Sequence, residues 1–373
     1  MRIAIYGCGQ LAMMLAQAAK KLKLTVSFIA EQHEDTRCVQ GLGKIVRYTH
    51  DLSVARLFQL LERPHVITVE REQVDINLLS ALAQFTEVAP HPDAIAVTQN
   101  RLLEKNLLKD FHIPLAPFEA IRHRSDLNQI SQHFSPPFFI KHPTQGYDGK
   151  SQWRIDQAQQ LADLNIDDAA FPLVVETKIN FNFEASVIGV RGLDGDIRFY
   201  APTVNEHVDG VLLKSQTLTQ EYMSPLFMPA KHILSVLFHH WNYVGVLSLE
   251  LFVTDAGLIV NELAPRVHNS GHWTMNACHT SQFENHIRAI CGLSLGDTRA
   301  IKPAGMVNLL GIASAPRDID ANSFLYWYKK TPKARRKMGH INLFDDDPLQ
   351  LEKRQNLLID QLYPQYDNDR KSA

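Results

Sequence analysis

The sequence predicts an α/β protein in three parts: a doubly wound, Rossmann-like N-terminal domain, a small lid domain, and a larger sheet domain with a C-terminal segment. Three observations carry this reading. Residues 2–6 are an apolar run ending in Gly7-Cys8-Gly9, followed by a helical stripe and a second apolar run at 25–30, which is a βαβ start. Residues 138–155 read as a strand, a glycine-bearing loop and a return strand. Residues 246–263 are two apolar runs split by Asp255-Ala256-Gly257, and each carries a glutamate, Glu250 and Glu262; this is a β-hairpin pattern. At 373 residues the chain is too long for one simple core. The expected divisions are 1–95, 96–175, 176–300 and 301–373.

In chain order, the first helix spans about 13 residues, with Leu11, Met14, Leu15 and Ala18 as its apolar stripe. Gly7 to Ala12 fits G-x-G-x-x-A, the dinucleotide fingerprint, and Glu31 lies near the distance of a ribose contact. Many doubly wound domains use such a turn only to bring backbone close to a ligand. Residues 66–69 read as a buried strand running into Glu70-Arg71-Glu72, and Pro90 and Pro92 end the domain. Residues 100–111 read as a helix opened by Arg101, and Ile113-Pro114 and Ala116-Pro117 break the chain after it. The strand at 138–141 ends in Lys141. The loop after it holds Gly146, Tyr147, Asp148, Gly149, Lys150, Ser151 and Gln152. Its glycines let backbone N–H groups close over phosphates. No G-K-[ST] opens a helix there, so it is not a Walker A loop.

Residues 173–179 form a strand carrying Glu176, Thr177, Lys178 and Ile179, and 183–190 an alternating strand carrying Glu184. Helices come next at 230–241 and 281–290, then strands at 306–310 and 324–328. Six basic residues then fall within the nine positions 329–337. Such a run is either a solvated surface or a phosphate cradle. Residues 367–373 read as a frayed tail.

Composition limits the classes of function. Hydrophobic content is 45% and charged content 21%, ordinary for a soluble protein. A net charge of -2 gives no global basic field for nucleic acid. The four cysteines form no C-x-x-C pair, so a reduced, cytoplasmic setting fits better than zinc or a disulfide framework. No run reaches the ~18 apolar residues of a membrane span, and the N-terminal apolar run is too short for a signal peptide.

The decisive stretch lies just beyond the hairpin. Glutamates are seldom fully buried unless paired or bound to metal. Glu250 and Glu262 could lie on a solvated face, but Arg266, His268, Asn269, Ser270, Gly271, His272 and Trp273 come directly after them. Cation, imidazole, amide and hydroxyl beside two carboxylates suggest a site for a metal and an anionic substrate. The run N-E-L-A-P-R-V-H-N-S-G-H-W-T, from Asn261, resembles the large-domain signature of the 5-(carboxyamino)imidazole ribonucleotide synthase family, ATP-grasp enzymes of purine biosynthesis. Weaker matches run along nearly the whole chain.

The resemblance implies an ATP-grasp fold and a reaction. ATP phosphorylates bicarbonate to carboxyphosphate, which carboxylates the exocyclic amine of 5-aminoimidazole ribonucleotide directly or through released carbon dioxide. Glu250 and Glu262 would hold two Mg²⁺ ions. Arg101, Lys141, the lid loop from Gly146 to Gln152, the hinge from Glu176 to Ile179, Glu184, His207, Asn261 and Glu262 would bind ATP. Gln10, Leu11, Asn269, Ser270, Lys333, Arg336 and Lys337 would bind the ribonucleotide. Arg266, His268, Asp148 and Glu72 would serve the reacting groups, with the Arg266 guanidinium satisfied only by the reacting anion. The family suggests a homodimer. Its usual first loop reads G-x-G-Q-L-G-R-M and its lid G-Y-D-G-K-G-Q; here Ala12, Met13 and Ser151 depart from them.

The other readings are an ATP-grasp enzyme using formate or a biotin carrier, a nicotinamide-dependent oxidoreductase resting on Gly7 and Gly9, and a non-catalytic nucleotide-binding regulator. For the hairpin, a three-residue loop pairing Thr254 with Leu258 would set Glu250 across from Glu262. A two-residue loop would set Glu250 across from Asn261 and turn Glu262 to the other face.

Overall fold

Parallel strands buried on both faces read as continuous apolar runs, and such runs build the first sheet. The computed structural model describes residues 1–144, 152–218, 220–317 and 319–364. Strands β1 (Arg2–Tyr6), β2 (Thr25–Ala30), β3 (Lys44–Arg47), β4 (Val66–Val69) and β5 (Glu87–Val88) pair in the order β3-β2-β1-β4-β5, all parallel. Helices α1 (Gln10–Lys21), α2 (Val54–Leu60), α3 (Ile76–Leu82) and α4 (Pro92–Thr98) alternate with them. At the first turn Gly7 has φ +114°, and a Cβ there would lie 2.4 Å from Glu70 Cγ. Only glycine meets both demands.

Helix α5 (Arg101–Asp110) leads into the second sheet. Its first N–H groups, on Leu102 and Leu103, are capped by the Asn100 side chain at 2.9 and 3.3 Å. Strands β6 (Phe118–Ile121), β7 (Phe138–Lys141), β8 (Gln152–Ile155) and β9 (Leu173–Thr177) form an antiparallel sheet ordered β6-β9-β7-β8. Helix α6 (Leu127–His133) covers it, burying Leu127 and Ile130 with Phe138 and Ile140.

The third sheet has nine strands: β10 (Phe183–Arg191), β11 (Ile197–Phe199), β12 (Thr203–Val208), β13 (Val211–Thr217), β14 (Gly245–Thr254), β15 (Gly257–Ala264), β16 (Ala304–Leu310), β17 (Ser323–Trp327) and β18 (Lys337–Phe344). The order is β15-β14-β10-β12-β13-β16-β18-β17, with β11 on β10. Helices α7 (Gln220–His240), α8 (Thr274–Ala277), α9 (Gln282–Ile290) and α10 (Pro348–Leu362) pack around it. Strand alternation divides the labour between the faces. Ala185, Val187, Leu249 and Leu251 bury against Ala230, Leu234 and Leu237 of α7. The opposite face carries Glu184 and Ser186 on β10, Asn205 on β12 and Glu250 on β14, and there the site forms.

One expected division does not coincide with the architecture. The division after residue 175 falls inside β9, so the small sheet runs on to Thr177. The C-terminal segment, 301–373, supplies β16, β17 and β18, which extend the large sheet. The start of β18 is concealed in the sequence, because Lys337 closes the basic run.

Helix α9 joins the first and third units, packing on α1, β10 and β14. Its fully buried His286 accepts the Val246 N–H through Nδ1 at 3.1 Å and donates from Nε2 to Thr68 Oγ1 at 2.8 Å. Burial pulls its pKa down to about 4. The unfolded chain therefore takes up the proton first, and stability falls as pH drops from about 6.5 toward 4. His286 alone contributes roughly 3 kcal/mol to that loss. Thermal midpoints measured across this range should show it, and His286→Gln should flatten the slope. An identical slope in the variant would assign the acid sensitivity to other groups.

Candidate active site

The hairpin of β14 and β15 turns on two residues, Asp255 and Ala256: Thr254 faces Gly257 and Val253 faces Leu258. The expected three-residue loop is therefore incorrect. In an unbroken ladder this register would have sent Glu262 through the sheet. Instead a β-bulge intervenes. Leu251 opposes Val260 and Glu250 opposes Glu262, so Asn261 is the extra residue. The two carboxylates face each other after all, by a route the sequence pattern does not disclose.

Their surroundings differ. His268 Nε2 lies 2.7 Å from Glu250 Oε1. Burial works to raise the Glu250 carboxyl, but the hydrogen bond from His268, with the nearby His207 and Lys337, outweighs it and holds it low. Glu262 is open to the cavity but set deep in the molecule. Its surroundings and the Glu250 charge push its carboxyl upward. Behind it Glu104 is buried and accepts the Leu263 N–H at 3.3 Å; burial and the Glu262 charge raise it well above the usual range. Two hard carboxylates on adjacent strands, one short of positive charge, fit a divalent cation completed by phosphate oxygens and water. Glu250 and Glu262 are the residues that would hold it.

Arg266, expected to be satisfied only by a reacting anion, is ion-paired with Glu72 at 2.5 Å, and both are buried. It also donates to the Val267 carbonyl at 3.0 Å. Burying two charges is tolerable because each desolvated group has the other. Glu72, expected to serve the reaction directly, thus holds the guanidinium at the cavity wall. Its neighbour Glu70 does different work: its buried carboxylate accepts the Gly9 N–H at 2.6 Å and the Ala12 N–H at 2.9 Å. The N-terminal end of α1, where a dinucleotide pyrophosphate would sit, is satisfied by the protein's own side chain. Glu31, at the expected ribose position, pairs with Arg71 at 2.9 Å.

Across the cavity, Glu176 Oε2 lies 3.0 Å from Lys141 Nζ and 3.4 Å from Lys105 Nζ. Burial would raise the Glu176 carboxyl, but the two lysines hold it low. Its Oε1 is buried without a hydrogen-bond partner among the described residues. Glu184 contacts His207 Nδ1 at 2.6 Å. Arg101 Nη1 donates to the His142 carbonyl at 2.9 Å. The rings of Phe181 and Phe252 stack at 4.7 Å. Together these groups line one cavity of about 1020 Å³, large enough for a nucleotide and a second substrate.

Comparison with known proteins places this arrangement. Residues 106–283 match the ATP-grasp domain, 1–99 the ribonucleotide synthetase preATP-grasp domain, and 304–354 the phosphoribosylaminoimidazole carboxylase C-terminal domain. N5-carboxyaminoimidazole ribonucleotide synthase of Vibrio vulnificus is 36% identical over 98% of this chain and 97% of its own. The chain belongs to the N5-carboxyaminoimidazole ribonucleotide synthase family. The Escherichia coli synthase is 34% identical over 98% of this chain and 96% of its own. The crystal structure of the Thermus thermophilus synthetase superposes with a TM-score of 0.87 at 31% identity, covering 96% of this chain and 98% of that one. The Staphylococcus aureus synthetase complexed with ADP gives 0.83 at 30% identity, covering 95% and 96%.

Within this synthase fold, the structure brings most of the expected residues to the cavity and removes some. Gln10, Leu11, Arg101, Lys141, Gln152, Glu176, Thr177, Lys178 and Ile179 line it, as do Glu184, His207, Asn261, Asn269, Arg336 and Lys337. Ser270, expected to bind substrate, is fully buried and turned toward Ser186 and His268. Lys333 is exposed and does not line the cavity; its backbone carbonyl instead accepts the Arg336 N–H. Gly146, Tyr147, Asp148, Gly149, Lys150 and Ser151 lie outside the described residues.

Three further contributors are not among the expected residues. Lys105 stands four residues after Arg101 on one helix face, a spacing visible in the sequence. Lys330 lines the cavity, bonds Gln10 and sits over the Tyr328 ring at 5.4 Å; the basic run is visible in the sequence, but its register is not. Glu70 gives no local signal, because its partners lie about sixty residues earlier.

Inserting one alanine between Asn261 and Glu262 should move Glu262 one place along β15 and turn it out of the cavity, because side chains alternate. We expect ATP turnover to fall at least about a hundredfold, the order lost when a phosphoryl-transfer stabiliser is removed, with the protein still folded by circular dichroism. Retained turnover would show that Glu262 is not needed opposite Glu250.

Proposed function

We propose that this chain uses ATP to carboxylate the exocyclic amine of 5-aminoimidazole ribonucleotide in purine biosynthesis, releasing ADP and phosphate. The observation that supports this reading is one cavity lined by Glu176 to Ile179, by the facing Glu250 and Glu262, and by Lys330, Arg336 and Lys337. A bicarbonate oxygen attacks the γ-phosphorus, ADP leaves, and the amine takes the carboxyl group as phosphate departs. Phosphoryl transfer requires positioning and charge neutralisation more than covalent help. Two Mg²⁺ ions held by Glu250 and Glu262 would supply that neutralisation. Arg101, Lys141 and Lys105 surround the phosphate path. The unpartnered Glu176 Oε1 is an acceptor for an exocyclic amine such as that of adenine.

Arg266, fixed by Glu72, would hold the carboxylated intermediate at the cavity wall. His268 and Asn269 border the same space. At the far end Lys330, Arg336, Lys337 and Gln10 would receive the ribonucleotide phosphate. Asp148 on the lid would orient the amine. The protein works in the cytoplasm as a homodimer on this reading, and no described helix is long and apolar enough to cross a membrane.

ADP release should require both bicarbonate and 5-aminoimidazole ribonucleotide. Release that continues without the ribonucleotide would overturn the assignment. Arg336→Ala or Lys337→Ala should weaken ribonucleotide binding about tenfold or more, since a charged hydrogen bond is worth roughly 1.5–3 kcal/mol, with ATP affinity nearly unchanged. Isothermal titration with each ligand separates the two effects.

A further inference from the structure

Behind His268 lies a run of buried polar side chains that touch neither substrate path. Asn205 on β12 donates through Nδ2 to Ser186 Oγ at 2.5 Å. Ser186 on β10 donates to Ser270 Oγ at 2.8 Å. Ser270 Oγ lies 2.8 Å from His268 Nδ1, and His268 Nε2 reaches Glu250. Asn205, Ser186, Ser270 and His268 are all nine-tenths or more buried.

The run has a direction. Asn205 Oδ1 accepts Ser215 Oγ at 2.8 Å and Thr203 Oγ1 at 3.2 Å, so its amide nitrogen faces Ser186. A hydroxyl has one proton to give. Ser186 gives its proton to Ser270, and Ser270 gives its own to Nδ1. From the other side the Ser270 backbone N–H also points at Nδ1, at 3.4 Å, and a backbone N–H can only donate. Both ends make Nδ1 the acceptor. The ring hydrogen therefore sits on Nε2, aimed at Glu250. Gln282 clamps the same residue by its backbone, accepting the His268 N–H at 2.9 Å and donating to its carbonyl at 2.6 Å.

We propose that Asn205, Ser186 and Ser270 are positioning residues: a directional relay that selects the Nε2–H tautomer of His268 and thereby sets the rotation of Glu250, so that the carboxylate presents its second oxygen to the cavity. This rests on the reading of Glu250 as a cation ligand. Buried polar side chains carry a desolvation cost unless fully satisfied, and core filling alone would not require a fixed direction. Outer partners of this kind orient ligands and tune their basicity. The sheet register supports the arrangement, because Ser186 is the direct cross-strand neighbour of both Glu250 and Thr203.

The test uses the whole protein labelled with ¹⁵N-histidine, with the His268 signals assigned by comparison with His268→Gln. Without ligands, wild type and Ser270→Thr should show His268 protonated on Nε2. Ser270→Ala and Ser186→Ala should lose the fixed tautomer. In parallel, Ser186→Ala and Asn205→Asp, whose carboxylate has no N–H to give, should raise the Mg²⁺ concentration for half-maximal ADP release about tenfold. Their KM for ATP at saturating Mg²⁺ should stay within about twofold of wild type, since no relay residue touches the nucleotide path. An Nδ1–H signal in wild type overturns the proposal even if every variant fails to fold. An unchanged tautomer and Mg²⁺ dependence in folded variants overturns it too. If wild type releases no ADP in response to the ribonucleotide, the functional reading falls while the tautomer measurement still decides the relay.

Discussion

Side chains on a β-strand alternate, so two residues on paired strands share a face only when the count between them and the turn permits it. Glu250 and Glu262 satisfy that condition through one extra residue, Asn261. The site depends on this local irregularity. It places two carboxylates side by side, raises one of them, and leaves the other held by His268. Bulges re-aim side chains next to active sites at the cost of a local break in the ladder. Here the break also brings Asn261 to the cavity wall.

A second constraint comes from putting so much charge inside a protein. Arg266 has Glu72, Lys105 and Lys141 share Glu176, and Glu70 has two backbone amides. Removing one member of such a set strands the other in a poor solvent, which is why buried pairs are costly to break even when they add little net stability. These charged groups are thereby already paired in place without any ligand. Electrostatic stabilisation of a transferring group favours such preplaced groups, since donors that must reorganise lose their advantage.

Much of this is legible in the residue order. The doubly wound start, the α5 helix with its Asn100 cap, the small sheet and the acidic hairpin all announce themselves by periodicity and turn chemistry. The cavity-facing glutamates are marked by the polar run from Arg266 to His272 just downstream. The hidden part consists of relations that periodicity does not encode. A bulge leaves no fixed signature, so Gly257 suggests a three-residue loop that does not exist. Ser270 looks like a ligand because its neighbours line the cavity, but a 3₁₀ turn at Asn269–Gly271 rotates it into the core. Lys333 and Lys330 sit in the same basic run, and only the path of the chain between β17 and β18 decides which one faces inward. Strand β18 itself is obscured by that run.

The glycine turn at β1 has a wider implication. Its backbone keeps the shape of a phosphate receptor, with a helix pointing its positive end at the loop. Glu70, from the end of the neighbouring strand β4, fills that receptor with its own carboxyl group, covalently supplied and always present. A fingerprint of glycines therefore records a surface able to greet negative charge and says nothing about whose charge it is. In this fold the guest has become part of the house, and a socket shaped for a diffusible ligand works as a permanent joint between β4 and α1.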